Sequence, residues 1–339
     1  MKRIGLMGCG KVAGYGHLPA LNESEHWDLV SVFDPNPERL AQAQERFNVP
    51  QAFTDSDAFF ESGLDAVAIT SPAPCHKENV LAAARFGKPV LCEKPLAMDE
   101  AEVAEMIAVM EKAGLPFYAG FTYRFGADAQ RIKRLVDERV VGDVLSLRLI
   151  YIWNCHGKYV TDEEGNRIEQ PRRRDRMYEG GPLVDCGVHQ IDLSRWWLGS
   201  EIVRYQSAGA WLEDYEAPDH VYLHMDHANG AHTMIEISYA YCHTAKESIF
   251  LYSYDLIGTE GVIRYDMREE TIEVRSVEGT TSYPITHGKN FPGMYTAFAM
   301  ALDTGQPHGL ASPEDGLIAT RIARTATNDA IRQRNAAKA

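Results

Sequence analysis

With 339 residues, the chain is longer than one hydrophobic core usually serves, so two domains are expected. Hydrophobic residues make up 45% and charged residues 24%, which is the composition of an ordinary globular protein. The formal net charge of -14 disfavours nucleic acid and anionic lipid as partners, because both require clustered Lys and Arg.

The six cysteines contain no C-x-x-C pair, and their spacing predicts no zinc site. Thiols scattered in this way suit a reducing compartment. Residues 2–8 form a short apolar run that ends in glycine, which indicates a strand entering a turn rather than a signal peptide. No apolar run reaches the roughly 18 residues that cross a bilayer. We therefore expect a cytoplasmic protein without a membrane partner.

The first part of the chain alternates short apolar runs with amphipathic stretches. The predicted strands cover residues 3–7, 29–33, 65–70, 89–92 and 116–121. The predicted helices between them cover residues 38–47, 77–86 and 100–113. Strands that alternate with helices indicate βαβ units, and hence a parallel sheet with both faces covered.

The rhythm changes after residue 121. The spacing predicts a helix over 127–139, a strand over 144–153, an irregular polar segment over 154–179, and a helix from Gly181 and Pro182 to residue 197. From 203 to 277 apolar residues alternate, with turns at Asn229-Gly230 and Glu260-Gly261, which predicts an antiparallel sheet. Helices follow over 295–302 and 313–333, the second begun by a capping box of Ser312 and Asp315.

A dinucleotide fingerprint follows the first predicted strand. Gly8, Gly10 and Ala13, with Lys11 and Val12 between them, fit G-x-G-x-x-G/A, in which backbone N–H groups and a helix N-terminus receive a pyrophosphate. The alternative is a structural glycine turn followed by an ordinary helix.

The second predicted strand ends at Asp34, 24 residues after Gly10. A carboxylate there can accept hydrogen bonds from ribose hydroxyls and repels a 2′-phosphate, so NAD is favoured over NADP. The alternative is a helix-capping Asp. Arg39 is the residue that could restore NADP binding, although a solvent-exposed position on the next helix is the preferred interpretation.

Further motifs lie along most of the chain. They are Thr70-Ser71-Pro72-Ala73-Pro74-Cys75-His76, Glu93-Lys94-Pro95, Gly120 with Arg124 and Phe125, Gly180-Gly181-Pro182-Leu183-Val184-Asp185-Cys186-Gly187-Val188-His189, and Gly258-Thr259-Glu260-Gly261. Together with the glycine loop, they resemble the glucose–fructose oxidoreductase / inositol dehydrogenase / MocA-type (Gfo/Idh/MocA) family. The most specific part is the Glu-Lys-Pro motif followed about ninety residues later by D-x-x-x-H.

The resemblance implies an α/β Rossmann domain over residues 1–122 and an α+β domain over 123–339 with an open, mostly antiparallel sheet. It also implies hydride transfer between nicotinamide and a sugar-like alcohol carbon, a homodimer or homotetramer built through that sheet, and often a cis peptide bond at Pro95. The catalytic residues that it implies are Lys94, Asp185 and His189. The implied cofactor-binding residues are Gly8, Gly10, Lys11, Val12, Asp34, Thr70, Pro72, His76, Glu93 and Lys94. Tyr123, Arg124, Asn154 and His156 join the catalytic set as predicted substrate contacts.

Alcohol oxidation requires a base near the hydroxyl with a pKa close to the working pH, which His189 satisfies. Asp185, four residues earlier on a predicted helix, is expected to share its face and to anchor substrate or increase its basicity. Lys94, at the carboxyl edge of the sheet, can orient the hydroxyl and stabilise an alkoxide, or relay the proton itself. The alternatives are a buried helix histidine, a Lys94–Glu93 surface ion pair, and a metal site that adds Asp192. No metal is predicted.

Two polar groups remain open in the sequence. The histidines His220, His224, His227 and His232 are interpreted as a polar sheet face or subunit contact, since His220 and His224 would stand roughly 13 Å apart on a strand. Arg172, Arg173 and Arg174 could bind an anionic sugar substituent, but solvent exposure or pairing with carboxylates is preferred.

Two further functions remain as alternatives, and both would retain the NAD site. One is a glycoside hydrolase or lyase that retains NAD and works by transient oxidation and elimination. The other is a non-catalytic NAD-binding regulator, which would have no need of Lys94, Asp185 and His189 together. Reversible oxidation of a sugar, sugar derivative or cyclic polyol is the leading hypothesis.

Overall fold

The computed structural model describes residues 1–152, 159–161, 164–169, 171–239, 250–286 and 288–338. Its internal contacts divide the chain into two compact units. The first unit contains Met1–Gly126 and Lys289–Thr320, and the second contains Ala127–Gly288 and Arg321–Ala339. The sequence prediction placed 289–320 in the second domain, whereas these residues pack with the first unit.

The first unit is built on a parallel sheet. Its strands are β1 (Lys2–Met7), β2 (Trp27–Phe33), β3 (Gln51–Phe53), β4 (Ala66–Ile69), β5 (Val90–Cys92) and β6 (Phe117–Ala119). Their order in the sheet is β3-β2-β1-β4-β5-β6, with every neighbouring pair parallel. The predicted parallel sheet is confirmed. The short β3 was missed because its three half-buried residues give no alternation that could be read.

Helices cover this sheet. They are α1 (Leu18–Asn22), α2 (Pro37–Phe47), α3 (Ser56–Phe60), α4 (Ala73–Arg85), α5 (Glu100–Lys112) and α9 (Phe291–Thr304), with a π-helical turn over Ala13–His17 and a 3₁₀ turn over Thr122–Phe125.

Helix α9 explains why 289–320 belong to the first unit. The indole of Trp27 stacks on Phe298 with ring centroids 5.2 Å apart, and its Nε1 donates a 2.8 Å hydrogen bond to the Tyr295 carbonyl. All three residues are buried in the apolar core of this unit.

The second unit contains a larger, mostly antiparallel sheet. Its strands are β7 (Val144–Ile152), β10 (Ile202–Ala210), β11 (His220–His227), β12 (His232–Ser238), β13 (Leu251–Gly258), β14 (Gly261–Asp266), β15 (Thr271–Ser276) and β16 (Gly279–Pro284). The order is β10-β11-β12-β7-β13-β14-β15-β16, and only β12 with β7 is parallel among the pairs of this sheet. The predicted turn at Asn229-Gly230 is confirmed, with Gly230 at φ +88° between β11 and β12.

The remaining elements of the described chain are α6 (Ala127–Asp137), α7 (Pro171–Tyr178), α8 (Val188–Leu198), α10 (Pro313–Lys338) and the β8–β9 pair (Tyr159–Thr161 and Arg167–Glu169). The prediction of an irregular segment over 154–179 is therefore wrong for its described part. Helix α7 carries a run of arginines in place of an apolar stripe, so its sequence has no helical period of the usual kind.

Helices α8 and α10 begin in different ways. The predicted helix from Gly181 begins with a π-helical turn over Leu183–Gly187, and α8 follows it directly. The predicted capping box is confirmed, because Asp315 N–H donates to Ser312 Oγ at 3.2 Å and Ser312 N–H donates to the Asp315 carboxylate at 3.1 Å. Within the part of the chain that the structure describes, no helix combines the length and apolar character needed to cross a bilayer.

Candidate active site

The glycine loop has the backbone that a bound pyrophosphate requires. Gly8 has φ +103°, and a Cβ there would lie 2.5 Å from the Ser71 backbone nitrogen, so only glycine fits. A Cβ on Gly10 would meet no atom within 4 Å, which leaves this side of the loop open. Lys11 is exposed and, with Gly10, lines a cavity of about 800 Å³; Val12 then leads into the π-helical turn.

Asp34 lies directly beside this loop. Its buried carboxylate accepts hydrogen bonds from the N–H groups of Cys9 at 2.8 Å and Asn36 at 2.9 Å. Burial, followed by the nearby Asp34 charge, raises the pKa of the Cys9 thiol to about 12. Helix α2 is capped by Asn36, whose side chain accepts from two N–H groups of its first turn, so Asp34 is not the capping residue.

Arg39 occupies a position that bears on cofactor choice. Its guanidinium lies 3.9 Å from the Asp34 carboxylate, and its side chain is 53% exposed. The preferred interpretation of an exposed residue is confirmed, and the residue also lines the cavity beside the glycine loop. The end of β2 therefore carries the negative charge of Asp34, with the positive charge of Arg39 close to it.

The segment after β4 connects the glycine loop to the segment after β5. Thr70 Oγ1 donates to the Gly8 carbonyl at 2.7 Å, and Pro72 occupies the position before the first residue of α4. The ring nitrogens of His76 lie 2.9 Å from the Pro95 carbonyl and 2.7 Å from the Ser71 carbonyl. Burial lowers the pKa of His76, although both carbonyls oppose this effect. The structure thus brings Gly8, Thr70 and His76 to one edge of the sheet.

Glu93 and Lys94 follow β5 at the same edge. The Lys94–Pro95 peptide bond is cis, as the resemblance implies. Glu93 is buried, and its carboxylate accepts hydrogen bonds from His17 Nε2 at 3.0 Å and from Lys94 N–H at 3.2 Å. Burial alone would raise the pKa of Glu93, but His17, Lys289 and Lys94 outweigh it and lower the pKa to about 2. Glu93 is therefore an anion that is hydrogen-bonded to the backbone of Lys94.

The 3₁₀ turn after β6 carries two predicted substrate residues. The Lys289 ammonium lies 5.4 Å from the ring centroid of Tyr123. The buried Arg124 guanidinium forms a 3.0 Å ion pair with Asp315 in the first turn of α10. This pairing gives Arg124 a structural role, and its predicted substrate contact stays a prediction.

In the second unit, Asp185 lies in the π-helical turn and His189 in the first turn of α8, both buried. The Tyr239 hydroxyl donates a 2.6 Å hydrogen bond to the Asp185 carboxylate. Arg176 Nε lies 3.9 Å from that carboxylate, and Arg176 also pairs with Glu179. Burial alone would lower the pKa of Arg176, but the nearby carboxylates raise it, and Asp185 has the larger effect. Asp185 therefore has a neutral donor and a cation beside it.

The arginine run is mostly paired. Arg173 is fully buried, with its guanidinium 2.7 Å from Asp219 and 3.1 Å from Glu213. Arg174 is exposed and lies 3.6 Å from Asp175. The preferred interpretation of arginines paired with carboxylates is confirmed for Arg173. The predicted substrate residues Asn154 and His156 lie outside the described residues.

The four histidines of β11 and β12 make separate contacts. His224 and His232 lie with ring nitrogens 3.1 Å apart, and His232 Nδ1 donates to Asp226 at 2.7 Å. His220 lies 3.3 Å from Glu236, and the buried His227 hydrogen-bonds Thr233 at 2.9 Å. Among the described residues, no three His, Cys, Asp or Glu side chains are grouped so that they could hold a metal ion.

Sequence reasoning missed His17, Tyr239 and Tyr295. Tyr239 is 54 residues from Asp185 along the chain, and Tyr295 is 278 residues from His17, so no local spacing indicates either contact. The one available signal was His17 itself, a histidine four residues beyond the glycine fingerprint.

The comparisons with known proteins agree with this architecture. Residues 2–121 match the family model described as "Oxidoreductase family, NAD-binding Rossmann fold", and residues 129–264 match the corresponding C-terminal domain model. A myo-inositol 2-dehydrogenase of Thermotoga maritima is 29% identical over 63% of this chain, an alignment that spans 60% of that enzyme. The scyllo-inositol 2-dehydrogenase (NAD(+)) of Bacillus subtilis is 27% identical over 82% of this chain and 78% of its own.

A solved structure shows the same fold. An oxidoreductase of Agrobacterium radiobacter, crystallised with NAD+, L-tartaric acid and magnesium, superposes with a TM-score of 0.81 over 98% of this chain and 97% of its own, at 21% identity. The two family models together cover residues 2–121 and 129–264, which is well over half of the chain. The chain belongs to the Gfo/Idh/MocA family of NAD-binding oxidoreductases.

Proposed function

We propose that this protein is an NAD-dependent dehydrogenase that transfers a hydride between nicotinamide and a hydroxyl-bearing carbon of a sugar, sugar derivative or cyclic polyol. The observation that carries the proposal is the arrangement of the first sheet. The glycine loop, Asp34 and the Glu93–Lys94 segment follow β1, β2 and β5, so all three lie at the carboxyl edge of one parallel sheet. Ligands of doubly wound folds bind at that edge.

The residues present fit NAD. The open side of Gly10 leaves room for close approach of a pyrophosphate. We propose that the Asp34 carboxylate, beside the same loop, accepts hydrogen bonds from the ribose hydroxyls. When bound, NAD supplies the hydride acceptor. The relatives named as inositol dehydrogenases support a polyhydroxylated substrate.

We assign separate tasks to the three predicted catalytic residues. His189 takes up the hydroxyl proton as general base, because an imidazole titrates near neutral pH. Asp185, held by Tyr239, anchors a substrate hydroxyl. The Lys94 ammonium orients the reacting hydroxyl and stabilises the developing alkoxide. Tyr123, Asn154 and His156 are proposed to contact the rest of the sugar.

The second unit supports a proposal of self-association. Along β11, β13 and β15 alternate residues point away from the buried core, and charges of opposite sign line up across strands. Arg148 lies 3.0 Å from Asp255, and Arg264 lies 3.6 Å from the same carboxylate. Exposed apolar residues, Tyr222 and Ile257 among them, interrupt these charges. We propose a homodimer or homotetramer built through this face, to be measured by light scattering.

We also propose that the protein is cytoplasmic, which is consistent with the thiols of Cys9 and Cys92, neither of which forms a disulfide.

A panel of sugars, sugar acids and inositols tests the function, with NAD and NADP followed separately. The expected result is formation of NADH with at least one polyol or sugar, and slower or weaker reaction with NADP. A panel with no reduction of either nucleotide, by a protein shown to bind NAD, would contradict the proposal.

A further inference from the structure

The buried side chains of Tyr295, His17 and Glu93 form a continuous hydrogen-bonded network that ends at Glu93, the residue before Lys94 in the sequence. His17 Nε2 lies 3.0 Å from Glu93 Oε1, and His17 Nδ1 lies 2.7 Å from the Tyr295 hydroxyl. The three side chains come from the π-helical turn after the glycine loop, the end of β5 and helix α9. They are 2%, 6% and 0% exposed, so water does not compete for these bonds.

The direction of the hydrogen bonds follows from the charge on Glu93. A carboxylate only accepts, so His17 Nε2 must carry the proton that it donates to Glu93. In a neutral imidazole, Nδ1 is then the acceptor, and the Tyr295 hydroxyl donates to it. In an imidazolium, Nδ1 instead donates to the Tyr295 oxygen, so the bond from Nε2 to Glu93 is kept in both charge states of His17.

Packing fixes the imidazole in this orientation. The ring of Phe291 meets His17 edge to face, with centroids 4.8 Å apart. A Cβ on the neighbouring Gly16 would lie 2.5 Å from the Phe291 ring, so this approach requires glycine at position 16. The imidazole of His17 is thus held by two hydrogen bonds and by the ring of Phe291, which can pack there because residue 16 is glycine.

The Glu93 end of this network contacts the backbone of Lys94. Glu93 uses its second oxygen to accept the Lys94 N–H at 3.2 Å. On the far side of the cis peptide bond, the Pro95 carbonyl lies 2.9 Å from His76. The backbone that carries Lys94 is therefore held from two directions, and one of them runs through Glu93 to His17.

We infer that His17 is a positioning residue for the dehydrogenase reaction: together with Tyr295 it holds the Glu93 carboxylate, which in turn fixes the backbone from which Lys94 acts. The same bond connects the helix that follows the cofactor-binding glycine loop to the Glu-Lys-Pro segment. This inference rests on the proposed function, because it gives Lys94 its task there.

A double-mutant cycle tests the inference. The proteins are wild type, His17→Leu, Glu93→Gln and the double variant, with His17→Gln as the conservative replacement and the exposed His26→Leu as matched control. Kcat and KM for the best sugar, the dissociation constant for NAD and the free energy of unfolding are measured for each.

His17→Leu should reduce kcat by about tenfold or more, while the affinity for NAD changes by less than about threefold. His17→Gln should restore most of kcat, because a side-chain amide can still donate to Glu93. In the Glu93→Gln background, His17→Leu should have little further effect, since residues that act through one another are not additive. His26→Leu should match wild type.

Two outcomes would overturn the inference. One is a His17→Leu variant with wild-type kcat, and the other is an equal loss of kcat from His17→Leu in the wild-type and Glu93→Gln backgrounds. If wild type turns over no sugar, the proposed function fails instead. The unfolding free energies of the same four proteins then decide whether His17 and Glu93 act as a coupled pair, and additive values would overturn the pairing itself. If His17→Leu does not fold, His17→Asn takes its place, because its shorter amide stands in for ring Nδ1 and not for the Nε2 that contacts Glu93. A kcat reduced about tenfold in His17→Asn would support the inference, and wild-type kcat in that variant would overturn it.

Discussion

The Tyr239 hydroxyl donates a 2.6 Å hydrogen bond to the carboxylate of Asp185, and both side chains are buried. The backbone of Tyr239 is itself fixed, because its carbonyl accepts from the Arg173 guanidinium at 2.5 Å and its N–H donates to the Asp219 carbonyl at 3.0 Å. Arg173 in turn pairs with the Asp219 carboxylate. The buried arginine of α7 thus contributes to the orientation of Asp185 through Tyr239.

Tyr239→Phe should lower kcat/KM for the sugar substrate by about tenfold. The substitution removes one hydrogen bond to a charged group, which is worth about 1.5–3 kcal/mol, and leaves the ring packing in place. Steady-state kinetics with the exposed Tyr178→Phe as control measures this effect. Wild-type kinetics in Tyr239→Phe would show that Asp185 does not depend on the phenol.

Asp34→Ala should weaken NAD binding and reduce the preference for NAD over NADP. The variant loses the carboxylate that accepts from Cys9 N–H and that would repel a 2′-phosphate, while Arg39 remains 3.9 Å from the vacated position. Dissociation constants for both nucleotides measure the change. Arg39→Ala is the matched variant and should shift the preference further toward NAD. An unaltered ratio in Asp34→Ala would contradict the assignment of the ribose site.

The charge on Glu93 predicts a pH dependence of stability. Because the folded-state pKa is lowered to about 2 from 4.5, the carboxylate stabilises the folded protein fully above about pH 4.5. That contribution, on the order of 3 kcal/mol, is lost as the pH falls from 4.5 toward 2. The difference in unfolding free energy between wild type and Glu93→Gln should therefore shrink over this window.

Chemical denaturation at several pH values measures this difference. Glu61→Gln, which removes an exposed carboxylate, serves as control and should show no comparable change. A difference between wild type and Glu93→Gln that stays constant from pH 5 to pH 2 would contradict the account of Glu93.

Gly16→Ala should destabilise the first unit by about 1–3 kcal/mol, because the added methyl group overlaps the Phe291 ring. Gly14→Ala is a matched control in the same π-helical turn, where a Cβ meets nothing within 4 Å. Thermal unfolding of the two variants measures the contrast. Equal stabilities would show that the approach of Phe291 to this turn is not required.

Features with a local signal could be predicted from the sequence. The glycine loop, the alternating strands of the second sheet, the turn at Asn229-Gly230 and the capping box of Ser312 each depend on neighbouring residues. The family motifs added the cis bond at Pro95, which the structure shows, and the catalytic roles of Lys94, Asp185 and His189, which stay predictions.

Features made by distant contacts could not be predicted. Residues 289–320 return to the first unit because Tyr295 and Phe298 pack on Trp27, and nothing in their own composition indicates that partner. Helix α7 was missed because Arg173 is buried by ion pairing rather than by apolar packing. His17 and Tyr239 lacked any interpretation because their importance depends on Glu93 and Asp185, which are far away in the sequence.

The most direct test of the central claim is the amount of NADH formed for each sugar oxidised, measured in parallel for wild type, His189→Ala and the exposed His26→Ala. The account predicts one NADH for each oxidised product in wild type and His26→Ala, and a rate lower by about two orders of magnitude in His189→Ala with NAD binding retained. Product without accumulated NADH, or full activity in His189→Ala, would contradict it.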